Sequence, residues 1–404
     1  MRRTPSRLAI TLLALLLAAL VGLRACGDAG DSHRVAIHVG AVLPASGSLS
    51  SIGLPMLEAV RLAESDIRAA GGLLTITHAD SGTDPAAAPA AVDWLLGEGV
   101  EAIVGAGASG VSQSFIETLY RERIPQCSGS NTSPAFSTQE SAAYYIRTVP
   151  SDRAIAPLLA GLITDDGHGR VAIVARDDDW GRSLAGELAR RLSESGVDLS
   201  VILYDPRQTT FDGEIAAVAS SGAEAVVNLV FAEGVSLIRG LLDAGYGPHR
   251  QYLGNGLADP DLARLIDPDD ATVVDGLRLV QPATRGSFNE RITVPTPATA
   301  AYPAAVYDCV VLLTLAAEIA GSVDGERMME ALSDVTRHGT QCRSYGECSD
   351  LIRSGVEIDY VGVSGPIDFD GAGDVTVATY AVVTYRNGEF TTLALRDVAL
   401  GPNE

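Results

Sequence analysis

Residues 99–111 read Gly99-Val-Glu-Ala-Ile-Val-Gly105-Ala-Gly107-Ala-Ser109-Gly110-Val111. Val100 to Val104, apolar apart from Glu101 and bounded by glycine, reads as a buried strand. Ser109 to Arg123 reads as a helix, and Ile124 to Cys127 as the next strand. Strand, glycine turn, helix, strand is one unit of a parallel sheet with helices on its faces. Gly105 to Gly110 is a literal GxGxxG, which offers a dinucleotide cradle. Two features weaken that offer. The run follows the third strand rather than the first, and Ile124-Pro-Gln-Cys127 ends without the acid a ribose needs. In a plainer form, the glycines let backbone approach a ligand and a helix start presents N–H groups to an anion, a carboxylate as well as a phosphate.

The same rhythm extends in both directions. Val35 to Leu43 is a strand, Leu54 to Ala70 an apolar helix face stopped by Gly71-Gly72, Leu73 to Ala79 a strand, and Ala86 to Leu96 a helix. After residue 150 it restarts: helix from Ser151 to Thr164, then strands Arg170–Ala175, Val197–Leu203 and Ala225–Phe231 alternating with helices 181–195, 211–220 and 234–244. The fold class this implies is α/β, with two Rossmann-like lobes built on parallel-core sheets. Tyr302 to Gly321 is a long apolar helix. Strands are expected at Ile367–Asp370, Thr379–Tyr385 and Glu389–Leu395, the last two joined by the hairpin pair Asn387-Gly388.

The N-terminus reads as an export signal: Arg2, Arg3 and Arg7, an uncharged run from Leu8 to Leu23, then Leu23-Arg-Ala-Cys26. The ending resembles a lipobox, which makes Cys26 the candidate lipidation site despite Arg24 at the preceding small-residue position. The expected division is 1–25 signal peptide and 26–33 tether. Of 404 residues, 47% are hydrophobic and 20% charged, enough for large cores. The net charge of −22 disfavours nucleic acid and anionic membrane surfaces as partners. An exported chain favours a disulfide between Cys342 and Cys348 in a short polar loop. Cys127 and Cys309 sit in apolar stretches and read as buried thiols, with a second bridge as the alternative.

Other clusters carry less. Ser128-Gly-Ser130-Asn-Thr132-Ser-Pro134 offers hydroxyls at the carboxyl edge of the first sheet, where open α/β sheets bind ligands, and also suits an ordinary turn. Asp177-Asp-Asp179-Trp180 suits a solvated helix entrance. Asp368 to Asp374 lacks the remaining ligands of a calcium loop. The six histidines are scattered and no GxSxG occurs, so neither a metal, a cofactor nor catalysis is expected.

Gly40-Ala-Val-Leu-Pro-Ala-Ser-Gly47, Asp80-Ser-Gly-Thr-Asp-Pro85, Gly99 to Gly105, Arg147-Thr-Val-Pro-Ser-Asp152, Asp179-Trp-Gly181, Tyr307-Asp308 and Gly365-Pro-Ile-Asp-Phe-Asp370 occur in an order that resembles the leucine/isoleucine/valine-binding-protein family. These are type 1 periplasmic binding proteins, the extracytoplasmic solute receptors of ABC importers. The resemblance implies two lobes, 34–148 with 282–365 and 149–281 with 366–396, a tail at 397–404, and crossings near Thr148–Ser151, Val280–Ala283 and Ser364–Ile367. Between the lobes a branched-chain amino acid or related small amide or carboxylate would bind. By motif, Ser109, Ser130 and Thr132 would hold a carboxylate, Trp180 and Phe231 would cover the ligand, and Asp152 would stand beside the cleft. Amino-acid-binding members place a carboxylate where this sequence has Asn255 or Gly256, and Asp259 could substitute. The expected partners are a small-molecule ligand and an ABC permease, with the protein a monomer. The alternatives are a sensory receptor of the same fold and an exported enzyme using the glycine run.

Overall fold

A computed structural model describes residues 34–297 and 299–400. The expected signal, Cys26 and the tether lie outside the described residues.

The first sheet is laid down by β1 (Ile37–Leu43), α1 (Ser50–Ala69), β2 (Leu74–Asp80), α2 (Ala88–Gly97), β3 (Ala102–Gly105), α3 (Ser109–Gln113), α4 (Ile116–Glu122), β4 (Gln126–Ser128) and β5 (Tyr145–Arg147). Its strands are all parallel, in the order β2-β1-β3-β4-β5. All four β3 residues are buried, as their unbroken apolar run requires.

The second sheet follows from α5 (Ile155–Asp165), β6 (Arg170–Arg176), α6 (Asp179–Glu194), β7 (Asp198–Tyr204), α7 (Asp212–Ser221), β8 (Ala225–Leu229), α8 (Val235–Asp243), β9 (Gln251–Leu253), α9 (Leu262–Ile266) and β10 (Arg278–Ala283). The chain then returns to the first sheet through α10 (Tyr302–Ala320), α11 (Gly325–Val335), β11 (Thr340–Cys342), α12 (Tyr345–Arg353) and β12 (Ile358–Tyr360). It ends in the hairpin β13 (Val377–Arg386) and β14 (Glu389–Ala399), antiparallel on β10. The second sheet runs β14-β13-β10-β9-β8-β6-β7. The hairpin turn holds Asn387 at φ 52° and Gly388 at φ 76°, the double positive φ that Asn-Gly tolerates.

Helix α10 is apolar apart from Asp308 and Glu318 and long enough to cross a membrane, but its residues from Tyr302 to Glu318 are all buried in protein. It is the spine of the first core, packed against α1, α11 and β4.

The structure corrects five sequence expectations. The helix expected over 109–123 is two helices. Ser114 returns its hydroxyl to the Val111 carbonyl (2.7 Å), and Phe115 leaves helical geometry to bury itself. Ile367–Asp370 is not a strand. It makes a single antiparallel pair, Phe369 with Val375, around a turn closed by Asp370. The tail expected from 397 is instead the end of β14, which runs to Ala399. The expected Cys342–Cys348 disulfide is present, but it joins the end of β11 to α12 rather than lying within a loop. Cys127 and Cys309 are not free thiols. They form a disulfide between β4 and α10, 182 positions apart, a pairing that only the packed core brings together.

Candidate functional site

The carboxyl ends of β3 and β4 face those of β8 and β9 across a narrow cavity of about 30 Å³. The first-sheet side supplies Gly107, Ala108, Ser109, Ser130 and Thr132, and the opposite side Trp180, Phe231, Asn255 and Gly256. Leu49, Ile52, Met56 and Tyr302 complete the lining, and none of its side chains is charged.

The glycine run has a structural task. Gly105 sits at φ +121°, and a Cβ there would lie 2.2 Å from the Val42 carbonyl oxygen. A Cβ on Gly107 would lie 2.6 Å from Pro44. These glycines admit the end of β1 rather than a phosphate. The loop after β4 is then tied down onto this run. Ser128 Oγ and Asn131 Nδ2 both donate to the Ala106 carbonyl (3.0 Å each), and Ser130 Oγ donates to that of Gly107 (2.9 Å). Ser109 Oγ accepts from the Ser133 amide (3.3 Å).

Arg147 braces this loop from behind and escaped the sequence reading as a site residue. It is fully buried. Its Nε and Nη2 grip Asp374 (2.5 and 3.0 Å), while Nη1 donates to the carbonyls of Asn131 (3.1 Å) and Ser133 (2.7 Å), which flank Thr132. A bidentate pair fixes orientation as well as charge.

Asp152 joins the two sides. Its carboxylate accepts from Thr132 Oγ1 (2.8 Å), from the Trp180 side chain and, at 3.4 Å, from Asn255 Nδ2. Asn255 Nδ2 also donates to Tyr302 Oη (3.1 Å). Asp152 has no exposure, and burial pushes its pKa up to about 7 against the lowering effect of these donors and of Arg147.

The opposing wall is aromatic. Trp180 stacks on Phe231 with centroids 4.9 Å apart, and the Arg176 guanidinium lies 4.0 Å from the far Phe231 ring centre. Arg176 is itself held by Asp178 (2.8 Å) and Glu233. Gly256 makes room for the pair, since a Cβ there would meet Phe231 at 2.6 Å and Trp180 at 2.7 Å.

Six of the eight residues named from sequence therefore line one cavity: Ser109, Ser130, Thr132, Trp180, Phe231 and Asn255. Asp152 stands behind the lining rather than on it. Asp259 is elsewhere. Its Oδ1 accepts from the Asp261 amide (2.8 Å) and its carbonyl from the Tyr385 hydroxyl (2.5 Å), which fixes its loop away from the cavity. Leu49, Ile52, Met56 and Tyr302 were missed. They lie in two distant stretches of sequence; Met56 and Tyr302 fall in segments read as apolar helices, which signal a core rather than a site. Among the described residues, no group of three or more His, Cys, Asp or Glu could hold a metal.

A family model described as a periplasmic binding protein matches residues 36–389. The chain belongs to that family. This periplasmic binding protein is 24% identical over 389 residues to the Leu/Ile/Val-binding protein homolog 2 of Brucella abortus (strain 2308), across 89% of this chain and 93% of the relative. It is 27% identical over 355 residues to the chemotactic signal transduction system substrate-binding protein BasB of Halobacterium salinarum, across 83% of this chain and 84% of the relative. A solved ABC-transporter solute-binding protein from R. palustris, in complex with benzoate, shares the fold with a TM-score of 0.71 at 15% identity, over 91% of this chain and 99% of that one.

Proposed function

We propose that this periplasmic binding protein captures a small polar solute between two lobes and hands it to an ABC permease. The ligand belongs to the class of branched-chain amino acids and related small amides and carboxylates. The reading rests on one observation: an uncharged cavity with hydroxyls on one wall and stacked aromatics on the other, set between the ends of two sheets. Nothing on that lining is a nucleophile–base pair, and binding is what such a surface can do. Lobe 1 is 34–148 with 282–365 and lobe 2 is 149–281 with 366–396. They part to admit solute and close on it by hinge motion. Closure is favoured only by contacts the ligand makes with both walls. Cys26 carries the lipid that holds the receptor at the membrane.

A screen of the full chain against branched-chain amino acids, small amides and small carboxylates tests the reading. A true ligand at a hundred times its Kd adds about 2.7 kcal/mol of stability and raises the melting temperature. No shift across all three classes refutes the assigned ligand class. The likeness to a chemotactic substrate-binding protein supports a second reading, in which the same capture is read by a signalling partner. Copurification from membranes separates the two: a permease supports transport, a transducer supports sensing.

A further inference from the structure

The hydrogen-bonding inventory of the cavity narrows the ligand, provided the cavity is a solute site as proposed above. Ser130 and Thr132 spend their protons on the Gly107 carbonyl and on Asp152. Two lining hydroxyls keep theirs. Ser109 Oγ and Tyr302 Oη each accept a bond and find no acceptor for their own proton among the described residues. One lining acceptor is orphaned: Asn255 Oδ1 is buried and has no donor. A buried polar atom without a partner is costly, so the site favours a ligand group that satisfies it.

The cavity thus presents donors to an acceptor and an acceptor to a donor, without a net charge on its lining. An ammonium would touch no carboxylate oxygen, because Asp152 is wrapped by Thr132, Trp180 and Asn255. Burying a cation without such contact is costly. A carboxylate would find hydroxyls but no cation, with Asp152 close behind Thr132. We infer that the ligand is a small uncharged amide, a primary carboxamide or urea, whose carbonyl oxygen takes the Ser109 and Tyr302 protons and whose N–H is taken by Asn255 Oδ1.

Isothermal titration of the full chain with acetamide, propionamide, acetate and L-leucine tests this. An amide should bind at least tenfold more tightly than acetate or L-leucine. Tyr302→Phe, which removes only the hydroxyl, should weaken amide binding about tenfold, and Asn255→Leu should do so at least as strongly. L-leucine or acetate binding as tightly as the amides would overturn the inference and leave solute capture standing. So would unchanged amide affinity in Tyr302→Phe. Silence from all four probes overturns it too; solute capture then stands or falls on the wider screen.

Discussion

The two walls of the cavity are built on different physics. The first-sheet wall is a hydrogen-bonded loop pair, with Ser128, Ser130 and Asn131 fastened to the glycine run and Arg147 clamping the carbonyls on either side of Thr132. The second-sheet wall is a stack of rings, Trp180 on Phe231 on Arg176, seated over Gly256. Directional bonds fix positions, whereas stacked surfaces slide and part at lower cost. If the cavity captures solute as proposed, the first wall and Asn255 hold the polar group and the rings cover it.

The largest test removes the brace. Arg147→Ala takes the cation from Asp374, which keeps the Ser137 hydroxyl (2.6 Å), and strips Nη1 from the buried Asn131 and Ser133 carbonyls; denaturant unfolding should show a loss of about 3–5 kcal/mol, with ligand binding lost alongside. A loss below about 1 kcal/mol would show that the wall does not depend on it. Next, Trp180→Ala empties the centre of the opposing wall. It should cost about 3 kcal/mol and weaken binding, while Trp180→Phe keeps most of both. Equal binding in the alanine variant would end the cover role.

Asp152 belongs to both walls, and pH probes it. Its folded pKa, pushed up to about 7, lies above the ordinary 3.8, so the folded state holds its proton more tightly. Stability from this group is complete below pH 3.8 and is lost as pH rises through about 7. The slope reaches at most roughly 1.4 kcal/mol per pH unit. Asp308, buried and raised to about 6, adds a slope of the same sign, so the comparison is with Asp152→Asn. That variant should lose less stability than the parent between pH 4 and 8; parallel melting curves would refute the titration. The smallest effect is Thr132→Ala. One hydroxyl is worth about 1 kcal/mol, read as a severalfold weaker ligand affinity with the fold intact.

Much of this was legible because it is written in contiguous residues. The apolar run before Gly105, the hydroxyls of 128–134 and the Asn387-Gly388 turn are local signals, and local physics decides them. The colinear family motifs then carried Trp180, Phe231 and Asn255 to the cavity. What escaped depends on distance in sequence. Arg147 and Asp374 are 227 positions apart, and a buried arginine looks like any other until its partner is placed. Asp259 looked available because it is an acid near the right loop; its loop is pinned outward by Tyr385, 126 positions away. The break at Phe115 failed for the opposite reason, since helical spacing continues through it and only core packing turns the ring inward.

The Cys127–Cys309 bond also changes the topology of the molecule. Every parallel strand of the second sheet, β6 to β10, lies between these two cysteines, so that half of the protein hangs as an excursion whose base is stapled shut on the first core. A single protease cut anywhere within the excursion opens the backbone without releasing a fragment. A nicked excursion stays attached to the first core until a reductant undoes the staple.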